Sequence, residues 1–156
     1  MLLLLAILFV SNYREKGTFK ELILEKYVAK EFDKIVIHDK DAVGKADKNI
    51  DKINQFMSNF NEYNLSKRNK YDENKDVPHY IISLYNHDTG EYMQIMPLDK
   101  DIMQVTMNTL LIIEDKENKI TNYKHSKTRG IYKITNKCID FDYLSDLYNS
   151  LSETYD

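Results

Sequence analysis

The chain has 156 residues, 30 % of them charged and 42 % hydrophobic, with 22 basic against 25 acidic side chains for a net charge of −3. That length suits one domain with a short appendage rather than two full domains, and the apolar fraction excludes wholesale disorder. Four glycines and two prolines exclude collagen-like and Pro-rich linker architectures, and the acidic balance exerts no global pull toward nucleic acid.

Lys, Ile, Asn and Tyr are frequent while Ala, Gly, Pro and Trp are scarce, a bias that AT-rich coding produces by itself. The 12 tyrosines are therefore weak evidence for ligand stacking. One cysteine, Cys138, cannot close an internal disulfide, so the fold rests on its core. Residues 1–10 read MLLLLAILFV and give way at once to polar Ser11 and Asn12. At 1.5 Å per residue the run reaches roughly 15 Å, about half of a ~30 Å hydrocarbon core, and it matches a signal h-region in length. A basic region before it and a small-x-small cleavage site after it are missing; basic residues encoded upstream of Met1 would complete a signal. Residues 1–13 are read as a signal-like or anchor segment that touches the membrane through residues 1–10. Residues 18–156 are read as a single domain that is exported, secreted or held at the membrane facing outward.

Further along, Phe19, Leu22, Ile23 and Leu24 form one apolar patch and Phe32, Ile35, Val36 and Ile37 a second. Their spacing predicts two strands joined by a polar link, with turn chemistry over residues 39–44. Ile50, Ile53, Phe56, Met57 and Phe60 recur at intervals of three and four, the stripe of an amphipathic helix starting near Asp47. Residues 61–65 read as a strand. Residues 66–76 (SKRNKYDENKD) carry seven charges in eleven positions and read as a solvated loop. Residues 79–85 (HYIISLY) and 91–96 (EYMQIM), separated by a turn ending at Gly90, predict a hairpin. Residues 102–107 and 109–113 continue the strands, residues 115–118 turn, residues 119–123 begin another short strand, and GIYKI from Gly130 to Ile134 ends the sheet. Asp140 caps a last helix lined by Phe141, Leu144, Leu147, Tyr148 and Leu151. Strands follow strands without crossover helices, so the expected fold is α+β: a mostly antiparallel sheet, one central amphipathic helix and one C-terminal helix.

The candidate sites are thin. Asp39, Asp41 and Gly44 imitate the opening of a calcium loop, but Val43 and Ile50 stand where a fifth-position ligand and a twelfth-position Glu belong, so a turn is expected. The histidines His38, His79, His87 and His125 lack zinc-site spacing. His87 beside Asp88 forms a proton-transfer pair on paper, without nucleophile or glycine cradle around it. Cys138 precedes the last helix, where a helix N-terminus lowers a thiol pKa, yet buried filler is the expected role. No catalytic residue, metal or cofactor is therefore assigned. Lys116, Lys119, Lys124, Lys127 and Arg129 oppose only Asp115 and Glu117, a local sum of +3, with Tyr123 and His125 interleaved. This stretch reads as solvated turn, or as a patch for an anionic surface, a teichoic polymer or nucleic acid, the acidic balance of the whole chain and its place on turns favouring the first.

The apolar start, the early Asp33–Lys34–Ile35–Val36 strand, the Ile50, Ile53, Phe56 helix and GIYKI together resemble a small family of exported or membrane-anchored domains of unknown function from low-GC Gram-positive bacteria. That resemblance implies an envelope location and carries no catalytic residue with it. The expected role is binding of a protein or cell-surface ligand, with nucleic acid not expected and oligomeric state open. The candidate contact surface comprises Tyr80, Tyr85, Tyr92, Tyr123 and Tyr132 with Lys119, Lys124, Lys127 and Arg129, because aromatic anchors dominate many interfaces. The alternatives are an inhibitor or immunity-type protein for a secreted enzyme or toxin, and a small hydrolase using His87 and Asp88.

Overall fold

The computed structural model describes residues 15–29, 31–71, 79–115 and 120–155. The expected leader over residues 1–13 lies outside them, as does Lys119. The first described elements are a short strand, β1 (Lys16–Thr18), and a one-turn helix, α1 (Phe19–Leu22), followed by a 3-10 turn at Leu24–Lys26. This corrects the expected strand at residues 19–24. Thr18 Oγ1 accepts from the Glu21 amide at 3.2 Å while Glu21 Oε2 accepts from the Thr18 amide at 2.8 Å, a reciprocal cap that starts a helix. Phe19 and Leu22 are its buried residues.

The expected second strand is β2 (Lys34–His38). Across the Asp39–Val43 turn it pairs with β3 (Gly44–Asp47), a strand whose four residues carry too little apolar pattern to announce themselves. Asp39 Oδ1 accepts from the Asp41 and Val43 amides, and Ala42 takes a positive φ of 59°, so the calcium-like segment is an Asx-type turn. The central helix, α2, runs Ile50–Asn61; Asn49 caps it by accepting from the Asp51 and Lys52 amides, and Ile53, Phe56 and Phe60 are buried. Ile50, expected on the apolar stripe, is exposed.

Strand β4 is Asn64–Arg68, extending three residues into the expected solvated loop. The expected hairpin is present as β5 (Ile81–Asn86) and β6 (Glu91–Asp99), with Gly90 at φ +68° closing its turn in the left-handed region. Two long strands follow, β7 (Ile102–Asp115) and β8 (Ile120–Ile134), where shorter pieces and basic turns were expected. The chain ends with α3 (Phe141–Ser150), capped by Asp140 accepting from the Tyr143 amide, and a three-residue strand, β9 (Glu153–Tyr155).

Every pairing among these strands is antiparallel, and they form one nine-stranded sheet in the order β1-β4-β8-β7-β6-β5-β2-β3-β9. The fold is α+β. Alternate residues Ile35, Ile37, Ile82, Leu84, Met93, Ile95, Met103, Val105 and Met107 meet the helices in one core. There Phe60 of α2 lies between Phe19, Phe56 and Tyr63, with ring centroids 5.6, 4.5 and 5.0 Å away. No helix among the described residues is long and apolar enough to cross a membrane.

Candidate functional site

Because side chains alternate across a strand, the residues between the core positions share the face of the sheet opposite that core. The register aligns Lys34, Tyr85, Tyr92, Asn108 and Lys127 as one rung from β2 to β8 on that face. The next rung is Val36, Ser83, Gln94, Thr106 and Arg129. Val36, Ser83 and Thr106 of this rung are buried. The Tyr85 and Tyr92 rings lie 6.1 Å apart, and Lys127 Nζ stands 6.0 Å from the Tyr92 centroid, within cation–π reach. Arg129 donates to Gln104 Oε1 on the adjacent strand. Asn108 Nδ2 donates to the Gly90 carbonyl at 3.1 Å and lies 3.1 Å from His125 Nδ1.

His87 closes one end of this face, its ring 6.4 Å from Tyr85. The acid that it meets is Asp33, from the approach to β2, rather than its neighbour Asp88: Asp33 accepts from the His87 backbone amide at 2.7 Å and contacts the ring through Nδ1. Burial alone would push the Asp33 carboxyl up; the bonds from His87 outweigh it and hold the group below the usual carboxylate range. Both side chains are largely exposed, so the pair joins the β5–β6 turn to β2 at the surface rather than inside a cavity.

Below this face, Glu91 at the start of β6 is only 1 % exposed. Its carboxylate accepts from the amides of Val28 at 3.0 Å, Ala29 at 2.6 Å and Leu110 at 2.8 Å, and from Thr89 Oγ1 at 3.1 Å. Desolvation would raise its pKa; the three backbone donors and the hydroxyl reverse the sign and hold it low. Tyr27 adds a hydroxyl bond to the Tyr92 carbonyl at 3.0 Å, and burial pushes its phenol pKa up. The backbone that carries Tyr92 is thus fixed from beneath. Nothing in the local sequence marks Glu91, because an acid opening a strand is ordinarily a solvated residue.

The expected contact residues divide. Tyr85, Tyr92, Lys127 and Arg129 come together on the face opposite the core, and Tyr123, paired with Ile112, extends it along the outer part of β8. Lys124 pairs with Leu111 and so occupies the opposite side of that ribbon. Tyr80 faces the core side, 6.3 Å from Tyr148. Tyr132 is 1 % exposed and lies in the core, which removes it from any contact surface. Cys138, expected as filler, is exposed beside the approach to α3. Among the described residues no group of three or more His, Cys, Asp and Glu is placed to hold a metal ion. Compared with family models, with curated proteins and with solved structures, the chain matches none.

Proposed function

We propose that the chain is a non-catalytic binding domain of the cell envelope whose sheet face opposite the core takes a phosphate-bearing anionic polymer. The observation that carries this reading is the rung Lys34–Tyr85–Tyr92–Asn108–Lys127 with Arg129 beside it, cations and two neighbouring, mutually tilted rings gathered on one face of a chain of net charge −3. Rings in contact with a lysine offer flat apolar surface for sugar or glycerol units, and the cations attract phosphates. The buried Glu91 and Tyr27 bonds hold the Tyr92 strand still, so little ordering is left for the ligand to impose. The apolar run at residues 1–10 supports the envelope half of the reading.

Titration with a poly(glycerol phosphate) polymer tests the binding half, followed by tyrosine emission, which no tryptophan masks in this chain. Binding that weakens with added salt is expected, and Tyr92→Ala and Lys127→Glu should each reduce affinity by about tenfold. A wild-type chain that does not bind, or variants that bind equally well, would sink it. Fractionation of cells expressing the full chain with a C-terminal tag tests the envelope half. Recovery in membrane or medium is expected, and recovery in cytosol removes it.

A further inference from the structure

Strand β7 runs on beyond its neighbour. Its pairing with β6 ends at Tyr92 opposite Asn108, whereas its pairing with β8 continues without a register break to Asp115 opposite Ile120. Residues 109–115 and 120–126 therefore form a two-stranded ribbon that leaves the sheet, and Leu111, Ile112, Ile113 and Tyr123 are 43, 48, 48 and 67 % exposed along it. Two strands alone are marginal in water, and apolar side chains on both ribbon faces make the exposure costlier.

The backbone of this edge is also open. The Leu110 amide points away from β8, since it donates to Glu91 on β6. In an antiparallel ladder such outward positions alternate, so Ile112 and Glu114 likewise turn their N–H and C=O away from β8. Among the described residues no strand meets them. The two edges of the ribbon differ in protection. The β8 edge carries Lys124, Lys127 and Arg129, the cations that natural sheets use to refuse a further strand; β7 carries no charge and no proline from Thr109 to Ile113, and its acids Glu114 and Asp115 come only at the end of the strand.

We propose that the β7 edge at residues 111–115 is a docking edge for a second copy of this chain, joining two ribbons into one four-stranded sheet about a two-fold axis. An axis through Ile113 sets Ile113 against its own copy and Ile112 against Glu114 of the second copy, so no like charges oppose one another. Ile112 and Glu114 then exchange N–H to C=O bonds with Glu114 and Ile112 of the second copy. The Leu110 amide keeps its bond to Glu91, which marks where the pairing stops. In this register Ile113 meets its own copy while Ile112 and Leu111 stand opposite Glu114 and Asp115 of the second copy, so the exchanged backbone bonds carry the pairing and like charges stay apart.

The test uses the full chain in a non-denaturing detergent, with sedimentation and amide hydrogen exchange followed over a range of protein concentration. Dimers are expected, with protection of the Ile112 and Glu114 amides rising as they form. Ile112→Pro removes an outward donor and none of the β8 ladder, and Ile113→Lys sets two cations face to face; each should weaken association by about tenfold or more. Near-UV circular dichroism confirms that each variant is folded, and if the proline variant is not, the lysine variant decides. A monomer at every concentration overturns the proposal. So does a dimer that leaves Ile112 and Glu114 unprotected and survives both substitutions, which is what association through residues 1–10 would give.

Discussion

A carboxylate at 1 % exposure loses most of its hydration, and Glu91 recovers it from three backbone amides that no strand satisfies. Its replacement therefore strands donors as well as removing a charge. Glu91→Gln, which keeps one acceptor and the shape, should lower unfolding free energy by about 1–3 kcal/mol. It should also speed amide exchange at Ala29 and Leu110 before it does so in β5. Urea titration and hydrogen exchange read the two effects, and a stability within the scatter of the wild type would show that water replaces the carboxylate freely. Gly130 is the second residue on which local geometry turns. A Cβ there would lie 2.7 Å from the Tyr132 ring, which crosses the glycine on the core face, so Gly130→Ala must displace a buried tyrosine. The expected cost is about 1–3 kcal/mol of overpacking, read by the same titration; a neutral result would mean that Tyr132 has another rotamer available.

At the scale of elements, helix α2 and the β7–β8 ribbon bury apolar side chains to opposite degrees. Phe60 touches three aromatic rings, whereas Leu111 stands on a ribbon beyond the sheet. Phe60→Ala should destabilise by about 3–5 kcal/mol. Leu111→Ala, measured at a concentration too low for association, should stay within about 0.5 kcal/mol of the wild type. Equal losses in thermal denaturation would mean that the ribbon is packed like core. The same contrast decides what was legible in the sequence. Helices α2 and α3 and the β5–β6 hairpin bury one face each, so their periodicity and turn residues announce them, and the α+β class follows. The ribbon has solvent on both faces, so β8 shows no alternation through Thr121–Arg129 and reads as basic turn. Helix α1 was signalled by Thr18 and Glu21 in capping-box spacing, a sign outweighed by the apolar patch after it. Of the candidate face, the residue types were visible in sequence; the rung that joins Tyr85, Tyr92 and Lys127 was not, because cross-strand register arises only on pairing. The Asp33 partner of His87, 54 positions away in the chain, was hidden for the same reason.

For the molecule as a whole, the buried carboxylates set how stability depends on pH. Glu91 is held below its ordinary 4.5 and Asp47 below its ordinary 3.8, in each case by hydrogen bonds that outweigh desolvation. Asp47 accepts from Lys52 Nζ at 2.7 Å, and the same ammonium donates to the Ser150 carbonyl at 2.6 Å, so β3, α2 and the end of α3 meet on one ion pair. Groups whose folded pKa is depressed bind fewer protons when folded than when unfolded. Their contribution is complete above the unfolded values and disappears as pH falls through the folded ones. Unfolding free energy should accordingly hold nearly constant from about pH 7 to about pH 5 as far as these groups decide it, and then fall steeply toward about pH 2. Because Glu91 sits between the 28–29 segment, the β5–β6 turn and the root of the ribbon, its protonation should loosen the ribbon together with the Tyr92 strand. The Glu91→Gln variant separates this from general acid expansion: it should start less stable at neutral pH and lose less on acidification, so the two profiles converge at low pH. Parallel profiles in urea titrations across that range would place the acid sensitivity elsewhere in the molecule and leave Glu91 a merely packed residue.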